Sequence, residues 1–150
     1  MTVKIGLETL LNEQRATLKN QRIGLVVGAA SIDAHLNSSL TRLWQQDGVN
    51  LTALYGPEHG LRGEVQAGQH IDDAHDSVTG LPIYSLHSLE NNTYQPNAAM
   101  LKNVDTILFD VQDAGLRFYT YLSTLVMIMR AAAEHSKRVV VLDRPAPLNG

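Results

Sequence analysis

Three ionisable side chains crowd into one loop, residues 56–63, directly after an apolar run. Glycines and a proline surround Glu58, His59 and Arg62. A connecting turn needs only the glycines and the proline, so the turn alone does not explain a carboxylate, an imidazole and a guanidinium. Side chains of these types perform acid/base chemistry and stabilise charge. We therefore expect a catalytic loop; the alternative is that Glu58 caps a helix or pairs with Arg62.

A second polar cluster follows the fourth apolar run of the chain. It begins at Asp110 and continues through Gln112, Asp113 and Arg117 in a glycine-containing turn. Such a set of donors and acceptors suits a ligand rich in hydroxyl groups, such as a sugar. In the alternative interpretation, Asp113 caps the next helix and Asp110 pairs with Arg117. Both interpretations stay open from the sequence.

Two further apolar runs also end in polar residues. Asp143 and Arg144 follow the fifth run, where an internal ion pair locking the turn is the alternative to a binding role, and Ser85 and His87 end and follow the third. In open α/β sheets, ligands bind beyond the carboxyl ends of the strands. The sequence therefore predicts that four loops bring ionisable groups to one edge of a sheet.

The elements that would position these groups alternate between strand and helix. Short, continuously apolar runs predict five strands, at 22–27, 49–55, 81–85, 105–109 and 138–142. Helical patterns lie at 6–18, 38–46, 96–102 and 118–135. The last is apolar nearly all round in its first half, so we expect this helix to be buried against the sheet and a second layer. Together these elements predict a three-layer α/β fold, with a mostly parallel sheet of about five strands.

Composition limits the classes of protein to consider. The chain has 150 residues, a net charge of −3 and no cysteine, which suits one globular domain without disulfides or thiolate zinc sites. No basic run predicts a nucleic-acid or membrane partner. The spacing of histidines and aspartates at 70–76 does not match a helical zinc motif, and no glycine-rich nucleotide motif follows the first strand, so no metal or cofactor is expected.

The N-terminus lacks the long apolar segment of a signal peptide. We therefore expect a cytoplasmic protein as written, or a secreted or periplasmic one if a leader was removed. The chain stops in a turn-rich segment soon after the fifth predicted strand. This suggests the N-terminal part of a longer protein.

Several motifs, in order along the chain, resemble the NamZ-type exo-β-N-acetylmuramidase family. They are GPEHGLRG at 56–63, QAG at 66–68, GLPIYSL at 80–86, DVQD at 110–113, RFYTY at 117–121 and LDRP at 142–145. The resemblance begins near residue 24 and implies a Rossmann-like N-terminal domain, with a smaller C-terminal domain completing the cleft. It also implies release of N-acetylmuramic acid from the non-reducing end of peptidoglycan fragments.

The resemblance further implies roles for individual residues. Glu58 would be the leading catalytic carboxylate, acting as acid or base with His59 and Asp113 beside it. The residues expected to bind the substrate are Arg62, Asp110, Gln112, Arg117, Tyr119, Asp143 and Arg144.

The mechanism leaves several alternatives open at this point. The second catalytic group would be Asp113, Asp110 or the substrate's own 2-acetamido group. A carboxylate on the substrate would bind Arg62 or Arg117 as a fork. A non-catalytic α/β module that binds a sugar or a phosphate is the alternative function. A third hypothesis is a structurally complete piece that is inactive without its second domain.

Overall fold

Six strands form one sheet in the computed structural model, which describes residues 3–64, 66, 74–87 and 94–148. The strands are β1 Arg22–Val27, β2 Asn50–Gly56, β3 Ala74–His75, β4 Pro82–Ser85, β5 Thr106–Asp110 and β6 Arg138–Val141. Their order across the sheet is β3-β4-β2-β1-β5-β6. The helices are α1 Gly6–Glu13, a 3₁₀ helix Arg15–Leu18, α2 Ser39–Trp44 and α3 Tyr121–Glu134.

The strand order places the carboxyl ends of β1 and β5 side by side. Every pairing is parallel except that of β3, which lies antiparallel to β4 at the edge. Counted along the chain, the five parallel strands have the spatial order 3-2-1-4-5, which is the Rossmann order. The chain after β1 leads to one side and the chain after β5 to the other. The crevice at which such sheets bind ligands therefore lies between these two strands.

Leucines cover the sheet face that packs against α1 and α2. Leu7 and Leu10 from α1 and Leu43 from α2 form one buried cluster with Leu25 of β1 and Leu54 of β2. A fully buried leucine stabilises the fold by about 1.5–3 kcal/mol relative to an exposed one. This cluster therefore fixes the two helices to the strands whose carboxyl ends carry polar loops.

Helix α3 covers the opposite face of the sheet. Ile128 and Ala131 are fully buried and pack in one cluster with Phe109 and Tyr55. Gly24 makes room for Tyr55, because a Cβ at Gly24 would lie 2.7 Å from its ring. Helices on both faces confirm the predicted three-layer α/β fold with a mostly parallel sheet.

The outer face of α3 differs from the prediction. Leu122, Val126 and Met129 are 64%, 41% and 52% exposed, so in the described part of the chain the helix packs on the sheet as expected but lacks the expected second layer. Only one stripe of the helix reaches the sheet. The helix also begins at Tyr121, three residues later than predicted, because residues 116–119 form a separate turn.

Two other elements depart from the sequence prediction. Residues 98–103 form tight turns where a helix was predicted at 96–102. The Asn97 side chain accepts hydrogen bonds from the backbone N–H groups of Ala99 and Met100, as an N-cap does, but the chain turns into β5 before a helix develops. Strand β3 was not predicted, because its two exposed residues carry no apolar pattern.

The remaining helices follow the prediction. Ser38 caps α2 by accepting a 3.1 Å hydrogen bond from the Thr41 backbone N–H. The predicted helix at 6–18 is divided into α1 and the 3₁₀ helix. Among the described residues, no helix combines the length and the apolar character needed to span a bilayer.

Candidate active site

The loop that carries Glu58 is a tight turn with unusual backbone geometry. The Gly60 N–H donates a 3.0 Å hydrogen bond to the Pro57 carbonyl. His59 has φ 74° and Gly60 has φ 78°. Positive φ is uncommon for residues other than glycine and costs on the order of 1–3 kcal/mol. A strained residue beside an ionisable one is typical of a functional site rather than of a simple connection.

The Glu58 side chain is held between two other elements of the fold. The Thr120 hydroxyl, at the start of α3, donates a 2.7 Å hydrogen bond to Glu58 Oε2. His87 Nε2, just after β4, lies 3.9 Å from Glu58 Oε1. The side chains of Glu58 and His87 are 15% and 17% exposed. The carboxylate is therefore oriented and mostly shielded from water, and it keeps some access to a ligand.

Tyr121 supports the same loop from α3. Its hydroxyl donates a 3.3 Å hydrogen bond to the Glu58 carbonyl, and its ring meets that of Tyr119 edge-on at 4.8 Å. Burial, with the neighbouring Tyr119 and Glu58, raises the pKa of Tyr121 to about 12. The phenol therefore stays protonated at neutral pH and remains a hydrogen-bond donor.

Arg62 points away from Glu58 and pairs with Asp76. Its Nη2 donates to Asp76 Oδ1, so the alternative in which Glu58 pairs with Arg62 is wrong. The Asp76 side chain is fully buried, whereas that of Arg62 is 52% exposed. Burial alone would raise the pKa of Asp76, but hydrogen bonds from Arg62 and Thr79 outweigh it and lower that pKa. The pair ties the Glu58 loop to the segment before β4.

Asp110 and Arg144 form a buried ion pair between neighbouring strand ends. Arg144 Nε and Nη2 donate to Asp110 Oδ1 and Oδ2 at 2.6 and 3.0 Å. The two side chains are 1% and 6% exposed, respectively. Arg144 also donates to the Ile32 carbonyl at 2.9 Å. The alternatives in which Asp110 pairs with Arg117 and Arg144 with Asp143 are therefore wrong, and the pair joins three loops at the switch point.

Asp113 keeps one carboxylate oxygen without a partner. Its Oδ1 accepts a 2.7 Å hydrogen bond from the Gly115 N–H, and its Oδ2 is buried with no hydrogen-bond partner among the described atoms. Asp113 does not cap α3, which begins eight residues later, so that alternative is wrong. It lines a groove of about 180 Å³ together with Tyr121 and Asp143. No described contact joins its carboxylate to Glu58.

Two other predicted site residues, Gln112 and Asp143, line this groove. Gln112 donates to the carbonyls of Asp113 and Pro145 at 3.0 and 3.1 Å and so joins two loops. Arg117 is exposed and is not among the residues that line the groove. The structure thus brings most of the predicted residues to one edge of the sheet but divides them between the Glu58 loop and the Asp113 groove. Tyr121 contacts both parts.

Sequence reasoning did not select the two side chains that contact the Glu58 carboxylate. His87 follows a strand end, which was a usable signal, although neither its distance to Glu58 nor its role followed from that position. Thr120 lies within the RFYTY motif at 117–121, but its type suits any helix start and it follows Glu58 by 62 residues, so its contact with Glu58 could not be inferred from the sequence.

The described part of the chain shows no group of three or more metal-ligating side chains. Of the segment 70–76, weighed above as a metal site, residues 70–73 lie outside the described residues.

Comparison with known proteins gives one family match. The model of the family "Exo-beta-N-acetylmuramidase NamZ, N-terminal" matches residues 23–150. The Bacillus subtilis (strain 168) protein peptidoglycan beta-N-acetylmuramidase NamZ is 45% identical over 148 residues, which are 99% of this chain and 35% of that protein.

Two solved structures of DUF1343 family proteins from Bacteroides fragilis are also similar. One superposes with a TM-score of 0.86 at 44% identity, over 96% of this chain and 35% of that one. The other gives 0.78 at 35% identity, over 98% and 36%. This chain thus spans about a third of the length of each relative.

Proposed function

We propose that this chain carries the acid/base residue of a glycoside hydrolase. The chain belongs to the exo-β-N-acetylmuramidase NamZ family, and its residues 23–150 match the N-terminal part of that family. The substrate is a saccharide with N-acetylmuramic acid at its non-reducing end, and the bond cleaved links that sugar to the next. The related Bacillus subtilis protein is named as a peptidoglycan β-N-acetylmuramidase, which supports this substrate class.

The observation that carries the proposal is the environment of Glu58. The carboxyl group is oriented by the Thr120 hydroxyl, lies 3.9 Å from the His87 imidazole and is 15% exposed. A general acid or base must be held within reach of the reacting oxygen while bulk water is excluded. Among the described contacts, no other carboxylate of the predicted site combines a neighbouring imidazole, a hydroxyl donor and partial access.

Glu58 acts on the leaving group. Hydrolysis passes through an oxocarbenium-like transition state, in which the bridging oxygen gains negative charge as the bond breaks. Protonated Glu58 donates a proton to that oxygen, and the resulting carboxylate then activates water. Thr120 holds the side chain in place during both steps, with the His87 imidazole beside it.

Three groups were expected as candidates for the second role in the mechanism, and two of them remain. Asp110 is fully buried and both its oxygens are bound by Arg144, which argues against it. Asp113 lines the neighbouring groove, and its buried Oδ2 has no hydrogen-bond partner among the described atoms. The substrate's own 2-acetamido group is the other candidate, as in substrate-assisted glycosidases. Loss of hydrolysis in Asp113→Asn favours the carboxylate, and normal turnover favours the acetamido group.

The test of the function is product release by the full-length protein. We expect free N-acetylmuramic acid from a disaccharide with that sugar at the non-reducing end, and none from a matched disaccharide that ends in N-acetylglucosamine. Calorimetry on the same samples separates the alternative function: binding of the muramyl disaccharide without release identifies a non-catalytic sugar-binding module and contradicts the proposal.

Removing the hydroxyl that orients Glu58 tests the positioning. We expect Thr120→Val in the full-length protein to lower kcat by about ten- to a hundredfold with little change in KM. The Thr120 hydroxyl stabilises the carboxylate that forms as the proton leaves, and a hydrogen bond to a charged group contributes about 1.5–3 kcal/mol. Thr120→Ser keeps the hydroxyl and is expected to restore most of the rate. Equal rates for the valine and wild-type proteins would remove Thr120 from the mechanism.

A further inference from the structure

Helix α3 presents a row of apolar side chains to solvent. Leu122, Val126 and Met129 lie three or four positions apart, so they share one side of the helix, and each is 41% exposed or more. Single exposed apolar residues are ordinary on a protein surface, whereas a contiguous row usually marks a contact surface. The row therefore indicates that another element packs against α3.

This row borders the β6 edge of the sheet. Leu122 and Leu125 line one groove together with Val141 of β6. On the other side of the helix, Ser123 lines the pocket that contains His87, after β4. The apolar row and β6 are therefore continuous. We call them the α3–β6 surface, which consists of Leu122, Val126, Met129 and Val141.

Strand β6 forms an edge of the sheet that carries little protection against pairing. Among the described residues, no strand lies on its outer side. Proteins usually protect such edges with charges, proline or very short strands. The opposite edge follows this rule, because β3 has only two residues, whereas β6 reads Arg-Val-Val-Val and its Val141 is 49% exposed. An apolar edge of this kind is suited to pairing with another strand.

Alternate backbone N–H groups of β6 point away from β5. Those of Arg138 and Leu142 donate hydrogen bonds of 3.1 and 2.9 Å to the neighbouring chain segment that contains β5. The N–H groups of a strand alternate in direction, so that of Val140 also points toward β5. Those of Val139 and Val141 point outward, where a further strand would accept them.

The topology predicts where a following helix and strand would lie. From β1 to β2 the chain crosses the sheet face that carries α2, and from β5 to β6 it moves the opposite way over the face that carries α3. Opposite directions over opposite faces give both crossovers the same hand, which is right-handed in nearly all proteins. Another right-handed crossover, from β6 to a strand beyond it, would place its helix beside α3 on the same face.

We propose that in the full-length protein the polypeptide C-terminal to the matched region covers the α3–β6 surface. It adds a parallel strand to β6 and packs an amphipathic helix against the apolar row of α3. The relatives are long enough to supply this segment, because the matching family model is N-terminal and this chain spans 35% of the Bacillus subtilis protein. The added helix is the second layer that the apolar first half of α3 predicts. This inference does not depend on Glu58 or on hydrolysis.

Hydrogen exchange in the full-length protein tests the strand pairing without any substitution. We expect the N–H groups of Val139 and Val141 to exchange at least about a hundredfold more slowly than an unpaired amide. The N–H of Val140, which faces β5, is the internal control and should be slow in either case. NMR or mass spectrometry with single-residue resolution measures the rates. Fast exchange at Val139 and Val141 beside slow exchange at Val140 would overturn the proposal.

The same rates distinguish a segment of the same chain from a second copy of the protein. Pairing within one chain predicts protection of Val139 and Val141 that does not change when the protein is diluted. Protection that falls on dilution, together with a dimer mass in light scattering that is lost in parallel, would assign the surface to a second copy and contradict the proposal.

A charge on α3 tests whether one segment covers both parts of the surface. We expect Val126→Asp in the full-length protein to speed exchange at Val139 and Val141 by about tenfold or more, because the new carboxylate would be buried against the added helix. Val78→Asp is the matched control, since Val78 is 77% exposed in the turn between β3 and β4, and it should leave both rates unchanged.

Wild-type exchange rates in a folded Val126→Asp protein would overturn the placement of the helix. Circular dichroism checks that the variant is folded. The exchange measurement on the wild-type protein needs no variant, so it decides the strand pairing whether or not Val126→Asp folds.

Discussion

Glu58→Gln is expected to lower kcat of the full-length protein on a muramyl-terminated saccharide by about 10²–10⁴-fold, the usual contribution of a general acid or base. Glutamine has nearly the same shape and can accept the Thr120 hydrogen bond, but it carries no proton to transfer at neutral pH. The loss should therefore appear in kcat, with KM changed little. Initial rates of N-acetylmuramic acid release measure both constants.

Glu134→Gln is the control for this substitution. Glu134 is exposed in the last turn of α3, and none of its described atoms contacts the candidate site. We expect wild-type rates from it. Circular dichroism of both variants checks that the fold is kept. A Glu58→Gln protein with near-normal kcat would mean that another group transfers the proton.

Arg144→Ala is expected to have the largest effect on stability. It leaves the Asp110 carboxylate buried, with a side chain 1% exposed and no cation beside it. Breaking a buried ion pair by removing one partner costs about 3–5 kcal/mol. For a chain of this size each kcal/mol lowers Tm by roughly 2–4 °C, so we expect a fall of about 10 °C. Thermal unfolding followed by circular dichroism measures it.

Two further variants separate the ion pair from other roles of Arg144. Asp110→Asn/Arg144→Gln removes both charges and is expected to recover part of the lost stability. Arg130→Ala, on the surface of α3, should leave Tm unchanged. If Arg144→Ala unfolded at the wild-type temperature while losing sugar binding, Arg144 would be a ligand-binding residue, as the sequence predicts, and its pair with Asp110 would not stabilise the fold.

The sheet was predictable because continuous apolar runs report burial on both faces. All five predicted strands appear, and the one missed, β3, has two exposed residues and carries no such pattern. Periodicity says which side chains are apolar, but it does not say what covers them. This is why a second layer was expected over α3, whereas Leu122 and Met129 on its outer face are exposed.

The edge that holds the site was predictable, whereas the pairs of residues were not. Each ion-pair alternative was sought within one loop, as Glu58 with Arg62 or Asp143 with Arg144. The observed pairs join different loops instead. Asp110 and Arg144 meet because β5 and β6 are neighbouring parallel strands, so their carboxyl ends lie together. The order of the strands in the sheet decides such contacts, and the spacing of residues along the sequence does not reveal that order.

The contacts of Glu58 have the same origin. Its carboxylate meets Thr120 at the start of α3 and lies near His87 after β4. Both residues are distant from Glu58 in sequence and come close to it only when the sheet has formed. Residue type identified Glu58 as ionisable, and the glycines and proline around it predicted a loop. The topology supplied the two neighbours that make it a candidate acid.

The central claim is that Glu58 donates the proton to the leaving oxygen, and one comparison tests it most directly. The kcat/KM of Glu58→Gln relative to wild type is to be measured on a muramyl saccharide and on an aryl muramide whose phenolate leaves without protonation. We predict a deficit of about 10²–10⁴-fold on the saccharide and at least about tenfold less on the aryl substrate. Equal deficits on both substrates, or wild-type rates on the saccharide, would contradict the claim.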